Sequence, residues 1–522
     1  MDLDLFLHHL HFQSDRVIPP GWEADWEDAP LPFKIYRDLP EAPLAHDLPL
    51  SLQDQSLTSR LDVEEMSYFL WYVFGITQFS QTALPPMEDG KSVETIHSFR
   101  RFVPSGGALY PNELYIYLKI EELPDGIYHY DVAHHRVLLL REGNFDAYLT
   151  NALGSRCEMS DCFGAAIITT MFWKNFFKYN NFSYRLQGLD AGALIGQLLM
   201  VGKSFGFSSK VHFQFLDQAI NHLLGLNDQE ESTYAVIPIS EHKGLTKPEG
   251  KFREIAASAL CEEIPEISTR HYQRSERVLE YPEILKMNQH SMLATPGEFR
   301  QLNKNKEKKD NIQRFILPEV KRLNYDLAHV SRSRYSPGMD FIEKGINLMQ
   351  LASLLKETVD SKAFDNDLDR GKGQTPRISV YGCFHNVEGL PDGAYLYDDT
   401  SHSLIQIKKG DFRMALQAGM TLDNVNLHQV PMCLHIVGER NHYKTELGYR
   451  GYRVQHMEAG MLLQRLLLTA SALGMNGHPL LGFDVNGCDQ IYELENLDQT
   501  TLLQIPVGFY HPRSWLIGNI HG

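Results

Sequence analysis

The sequence predicts an α+β fold made of two tandem units, each a mainly antiparallel sheet flanked by helices, packed together as a pseudo-dimer within one chain. Three observations carry that expectation. First, at 522 residues the chain is too long for one ordinary core. Second, its halves can be laid over each other at a nearly constant offset. Leu123-Pro124-Asp125-Gly126 returns as Leu390-Pro391-Asp392-Gly393, 390 minus 123 or 267 residues later, and each copy leads into a Tyr-x-Tyr strand. Tyr184-Arg185 returns as Tyr452-Arg453, Asp190-Ala191-Gly192 as Glu458-Ala459-Gly460, and Ile237-Pro238-Ile239-Ser240 as Ile505-Pro506-Val507-Gly508, each 268 residues on. Matches at so many separate landmarks mark a tandem duplication. Third, each half reads in the same order: helix, turn, strand pair, long apolar helix and final strand.

Taken along the chain, residues 1–57 lie outside the repeat as an N-terminal extension. They carry Trp22, Trp26, Pro30, Pro32, Phe33 and Tyr36, and either wrap the surface or help hold a partner. Residues 58–245 form the first unit and 326–522 the second. Between them, 246–325 is rich in charge, and the run Asn303 to Asp310 is expected to be a solvated linker. In the long helices, Ala191, Gly192 and Gly196, and Ala459 and Gly460, are small enough for the two units to approach closely.

Composition excludes several classes. Forty-nine Lys and Arg against 66 Asp and Glu give a formal charge of -17, which argues against nucleic acid as a partner. The apolar stretches Ala193–Val201 and Met461–Met475 are broken by Gln197, Gln464 and Arg465, so no membrane helix is expected. The start, Met-Asp-Leu-Asp-Leu-Phe, lacks a secretory pattern and predicts a cytoplasmic protein. Six scattered cysteines without a Cys-x-x-Cys pair predict buried thiols rather than disulfides or structural zinc. The histidines at 8, 9 and 11 and at 129, 134 and 135 have no partners at ligand spacing, so no metal is expected. Gly371-Lys372-Gly373 is followed by Pro376 rather than by the start of a phosphate-binding helix, and neither a dinucleotide fingerprint nor a Gly-x-Ser-x-Gly elbow occurs.

The most informative string is Arg101-Phe-Val-Pro-Ser-Gly-Gly-Ala-Leu-Tyr110, followed by an alternating apolar strand. Pro104 fixes its own φ, and Ser105, Gly106 and Gly107 are read as offering a hydroxyl and backbone N–H groups to a flat or anionic ligand without Cβ bulk. This string resembles the flavin-contacting loop of the nitroreductase superfamily, and in particular its SagB-type branch, the azoline dehydrogenases of ribosomal peptide maturation. The resemblance implies two nitroreductase-like units, an FMN cofactor, and contacts to it from Arg101, Pro104, Ser105, Gly106, Gly107, Leu109 and Tyr110.

The repeats have diverged unequally. The first-half loop has no counterpart near Gly371-Lys372-Gly373-Gln374. Conversely, Ser331-Arg332-Ser333-Arg334-Tyr335 resembles the family's Arg/Ser-rich phosphate-holding start, where the first half has only Thr58-Ser59-Arg60. Leu481-Gly482-Phe483-Asp484 is similar to the family's Gly-Phe-Asp turn beside the flavin, whereas the first half has Phe213 to Asp217 without a glycine. Arg513 supplies another cation near the C-terminus. The resemblance therefore implies one composite FMN site using Arg332, Arg334, Gly482 and Arg513 of the second half with the first-half loop, and one decayed site.

Lys178-Tyr179 resembles the Lys-Tyr pair of azoline dehydrogenases, and the second half has Lys444-Thr445 instead. Oxidising an azoline to an azole sends a hydride to the flavin and a proton to a base. Either the tyrosine, as a phenolate stabilised by the ammonium, or the lysine, with its pKa lowered by burial, can be that base. The expected activity is FMN-dependent oxidation of thiazolines or oxazolines in a ribosomal peptide, with dioxygen reoxidising the flavin. The expected partners are the azoline-containing precursor peptide and the cyclodehydratase proteins of the same pathway. Two alternatives stand beside it: a general NAD(P)H-dependent flavin nitroreductase, and a flavin-free scaffold subunit of a peptide-modifying synthetase. Sequence leaves open whether the pseudo-dimer assembles further.

Overall fold

The computed structural model describes residues 2–52, 61–83, 95–241, 245, 254–302, 313–359, 364–369, 377–512 and 516–519. Thr58-Ser59-Arg60, the run Asn303 to Asp310, Gly371 to Gln374 and Arg513 lie outside these residues.

Two seven-stranded antiparallel sheets have the same strand order. In the first, Asn112–Leu118 lies between Gly126–Asp131 and Gly164–Met171, and Glu231–Ser240 follows Gly164–Met171. In the second, Ser379–Phe384 lies between Gly393–Asp398 and Met432–Glu439, and Gln499–Gly508 follows. The duplication reaches single hydrogen bonds. Tyr128 Oη donates to Pro124 O at 2.6 Å, and Tyr395 Oη to Pro391 O at 2.7 Å. The glycine of each Leu-Pro-Asp-Gly turn is required because the neighbouring strand is so close. A Cβ on Gly126 would fall 2.5 Å from Arg141 O, and one on Gly393 2.6 Å from Lys408 O.

Between the sheets run the two long helices, Ser183–Ser204 and Arg450–Ala472. Both are buried around most of their circumference, which explains why their sequences lack a polar face. Each ends in a left-handed glycine, Gly206 (φ 74°) or Gly474 (φ 73°). The returning bonds are Phe207 N to Gly202 O at 2.8 Å and Met475 N to Ala470 O at 2.9 Å, the Schellman pattern. The helices cross backbone against backbone. A Cβ on Gly192 would stand 2.0 Å from Met457 O, and one on its repeat mate Gly460 2.1 Å from Leu189 O. Gln464 Nε2 donates to Gln197 Oε1 at 2.8 Å within the seam, and Tyr184 stacks on Tyr452 with centroids 5.8 Å apart. One apolar cluster accordingly draws from both units, joining Phe69, Leu194 and Leu198 to Tyr452, Met457 and Leu468.

The units are also tied at their ends. Leu516–Asn519 pairs with Ile76–Ala83 of the first unit, so the end of the second unit completes a sheet of the first. The N-terminal helix Leu3–Phe12 rests on the second unit, where His11 Nε2 lies 2.9 Å from Thr500 Oγ1. Its continuation crosses to the first unit, and Tyr36–Arg37 pairs with Arg270–His271 from the charged inter-unit region. That region also contains the helix Pro282–Ser291 with Ile284 and Met287 fully buried, so charge richness there accompanies packed structure. The described cysteines are all free thiols. No described helix is long and apolar enough to cross a membrane.

Gly192→Ala should lower stability by about 1–3 kcal/mol, because the added methyl meets a carbonyl that can move only if the helices part. Gly202→Ala, in the same helix, would meet nothing closer than 3.8 Å and should raise stability, by about 1 kcal/mol at most. Denaturant unfolding of the two variants checks the opposite signs.

Candidate active site

After the strand Thr95–Arg101 the chain turns through Pro104 and a single turn at Gly106–Ala108 into the strand Asn112–Leu118. Gly107 (φ 67°), Ala108 (φ 57°) and Tyr110 (φ 47°) all lie in the left-handed region. For alanine and tyrosine this is strained backbone, which persists only where surrounding bonds impose it. Those bonds are specific. Ser105 Oγ accepts from Tyr110 N at 2.9 Å and donates to Asp190 Oδ2 at 2.6 Å, and Gly106 N donates to Asp190 Oδ1 at 3.3 Å. The Ser105 hydroxyl proton and the Gly106 N–H therefore point at the first long helix, not at a ligand as the sequence suggests. A buried carboxylate outcompetes an external acceptor for them. Tyr110 Oη accepts from Arg101 N at 3.0 Å, and the Arg101 guanidinium lies between the rings of Phe74 (4.1 Å) and Tyr110 (4.5 Å).

Over this loop stands the helix Trp173–Tyr179. A Cβ on Gly107 would fall 2.7 Å from Tyr179 Oη and 2.9 Å from Lys178 Nζ. The space a side chain would take is thus occupied by the tips of the two residues expected to do chemistry. Lys178 Nζ lies 4.9 Å from the centre of the Tyr179 ring and 5.3 Å from that of Trp26. Burial pulls Lys178 down from its ordinary value. Burial pushes Tyr179 up, and the nearby Asp190 charge adds to the rise. The two shifts favour a neutral amine and a protonated phenol. Beneath, Lys174 and His129 both bond the buried Glu113, and despite the opposing pull of burial they hold its carboxyl far below the usual range.

The extension covers this helix. Trp22 Nε1 donates to Lys178 O at 3.0 Å, and Trp26 packs edge-on against Phe177 at 5.3 Å while remaining 56% exposed. Asp28 accepts from Glu276 N and Arg277 N, and Ser275 Oγ in turn accepts from Trp173 Nε1, so extension and inter-unit region close over the site together. The sequence pointed to no site role for Asp190, Lys174 or Glu113, and for Trp22 and Trp26 it left surface wrapping and partner binding both open. A signal existed for Lys174, which precedes Lys178 by one helical turn.

The second unit supplies one cation, which meets another from the first. Arg334, from the helix Leu327–Ser333 and its end, is buried and donates from Nε to Phe102 O at 3.3 Å. Arg100 donates from Nη1 to Gln78 Oε1 at 2.7 Å and bonds Arg334 O, with Tyr335 5.7 Å away. Burial, then the charge of Arg100, pull Arg334 down to about 9. Among the described residues, Arg100, Arg101 and Arg334 form no ion pair with a carboxylate, and Arg101 Nε and Nη1 are buried without a partner. Arg101 lies in the field of the buried Glu113 carboxylate, so the adjacent guanidinium groups without a counter-ion are Arg100 and Arg334, and such a pair fits an anion such as a phosphate. With the double glycine of the following loop, where a Cβ would have no room, Arg100 and Arg334 fit the phosphate and flavin of FMN.

The structure does not bring every expected residue here. Arg332 turns outward and bonds Leu50 O of the extension. The Gly482 carbonyl accepts from Thr421 N at 2.9 Å. Its neighbour Phe483 lies 5.9 Å from the Arg185 guanidinium, next to Leu186, whose Cδ2 would be 2.7 Å from a Cβ on Gly106.

The opposite arrangement is closed. Asp217, at the start of the helix Asp217–Leu224, is buried and held by Arg450 Nη1 at 2.7 Å and Arg453 Nη2 at 2.8 Å. Asp367 accepts from Phe213 N and Gln214 N and pairs with Arg156. Glu458, the mate of Asp190, is bound by Arg377 Nε at 2.7 Å and by Tyr443 Oη at 3.0 Å. Paired charges occupy this half, whereas Arg100 and Arg334 in the other have no carboxylate partner among the described residues.

Comparison with known proteins agrees with the geometry. A family model described as the nitroreductase family matches residues 76–239 and again 294–509. The trifolitoxin-processing protein TfxB of Rhizobium leguminosarum bv. trifolii is 28% identical over 150 residues, 28% of this chain and 40% of that protein. A protein of Methanocaldococcus jannaschii named as a candidate nitroreductase is 29% identical over 138 residues, 26% of this chain and 67% of its own. The chain therefore spans about two fifths of one relative and two thirds of the other. A crystal structure from Anabaena variabilis, also named as a candidate nitroreductase, covers 98% of this chain and 99% of its own at TM-score 0.74 and 20% identity, a likeness of fold.

Arg334→Gln should leave the ligand-free protein as stable or more so, since it removes one of two adjacent buried cations. The same change should weaken binding of inorganic phosphate about ten-fold or more, as loss of a charge-assisted hydrogen bond does. Thermal melting and calorimetric titration with phosphate check both halves.

Proposed function

The chain belongs to the nitroreductase family, twice over in one polypeptide, and from that premise we propose that it is an FMN-dependent dehydrogenase acting on azoline rings of a ribosomally made peptide. The observation that carries this reading is the meeting of Lys178 and Tyr179 over Gly107, on a loop held in strained conformation by Asp190. The likeness to a trifolitoxin-processing protein supports a peptide as the substrate.

FMN would supply the hydride acceptor for the ring carbon, with dioxygen as the final electron acceptor. The protein's own residues handle the rest. Arg100 and Arg334 would hold the phosphate, Arg101 packs behind the loop between Phe74 and Tyr110, and the Gly106–Gly107 turn would receive the flavin. Lys178 takes the proton from the neighbouring ring carbon, because burial favours its neutral amine. Tyr179, kept protonated by burial, orients the ring by hydrogen bonding. Trp22 and Trp26 shield the amine from water on the outer side. The cyclodehydratase proteins that install azolines are the partners this chemistry requires.

The test is incubation of the flavin-loaded protein with an azoline-containing peptide under air, with the loss of two hydrogens per ring read by mass spectrometry. Lys178→Met should retain flavin and lose turnover about 100-fold or more, the scale of a missing general base. Wild-type turnover should rise with pH as Lys178 deprotonates, with an apparent midpoint below the ordinary lysine value of about 10.4. Rapid flavin reduction by NAD(P)H without peptide conversion would instead identify a general nitroreductase.

A further inference from the structure

Asp190 occupies a position whose repeat mate shows what is unusual about it. Both residues sit at the same point of a long helix, and both are buried, at 8% exposure for Asp190 and 5% for Glu458. Glu458 is neutralised by Arg377 and capped by Tyr443. Asp190 has no ion pair among the described residues, and its hydrogen-bond donors there are Ser105 Oγ and Gly106 N. A carboxylate buried without a cation is costly, so its retention calls for a use. The use is visible in the bonds it makes. By accepting the Ser105 O–H it directs the Oγ lone pair to Tyr110 N, and this pair of bonds spans the segment in which Gly107, Ala108 and Tyr110 are left-handed.

We infer that Asp190 is the positioning residue of the flavin loop: its ionised carboxylate, through Ser105 and Gly106, holds Gly107 beneath Lys178 and Tyr179 in the conformation that receives the cofactor. The inference rests on the FMN reading above. Burial raises the Asp190 carboxyl to about 7, against the lowering effect of its bonds to Ser105 and Gly106. The titratable group that faces it is Tyr179, on the helix above the loop, which burial keeps neutral. When Asp190 is ionised it accepts both bonds; when protonated, its own hydrogen competes with those donors. The loop should therefore be held above about pH 7 and released as pH falls through that value.

The experiment is titration of the full-length, flavin-stripped protein with FMN between about pH 6 and 8, read by flavin fluorescence, for wild type, Asp190→Asn and Ser105→Ala. Wild-type affinity should rise with pH through the Asp190 midpoint. Asp190→Asn should bind FMN about ten-fold more weakly or worse at high pH and lose that midpoint, leaving only the titration of FMN itself. Ser105→Ala, a change in a loop rather than in the central helix, should weaken binding in the same direction, and it carries the test if Asp190→Asn does not fold. Unchanged affinity and pH profile in a folded variant overturn the role of Asp190 alone. A wild-type protein that binds no FMN overturns the cofactor reading and this inference with it.

Discussion

Contact between the backbones of the two long helices, at Gly192 and Gly460, is the constraint on which the rest of the structure depends. With side chains absent at both positions, Met457 O and Leu189 O come within van der Waals reach of the opposing helix. That approach brings Arg334 of the second unit to Phe102 of the first, and it sets Arg185 of the first against Phe483 of the second. The two repeats thus build one shared interior, and each half contributes what the other lacks.

Duplication within one chain freed the two sites to diverge. In a symmetric dimer any substitution appears in both sites, whereas here Arg450, Arg453 and Asp217 could become a structural ion-pair cluster without altering the loop at 104–110. Buried pairs of this kind contribute little net stability, since desolvation offsets their attraction, but removing one partner would be costly. Their presence on one side makes the lack of a carboxylate partner for Arg100 and Arg334 among the described residues more telling on the other.

Much of the architecture was legible because it is repeated. A pattern read twice at offsets of 267 and 268 distinguishes signal from local coincidence, and the turn glycines, Tyr-x-Tyr strands and helix-ending glycines all recur in three dimensions. The Lys178-Tyr179 pair and the double glycine were singled out from resemblance, and the structure places the tips of both side chains where a Gly107 side chain would lie. What was not legible depended on long-range geometry. Whether Ser105 faces a ligand or Asp190, 85 residues away, is a tertiary fact. In Ser331-Arg332-Ser333-Arg334 two arginines look alike, yet the end of a short helix turns one outward to Leu50 and buries the other. The extension and the inter-unit region lie outside the repeat, so no second copy revealed that Trp22, Trp26, Asp28 and Ser275 close over the helix of Lys178.

The central claim is that one flavin site is open and its mate is closed within a single chain. It is tested most directly by saturating the purified protein with FMN, removing the excess, and quantifying released flavin against chain concentration. One FMN per chain is the result expected from the proposed function. Two per chain would contradict it, because the Arg450–Arg453–Asp217 cluster would then have to open and admit a cofactor.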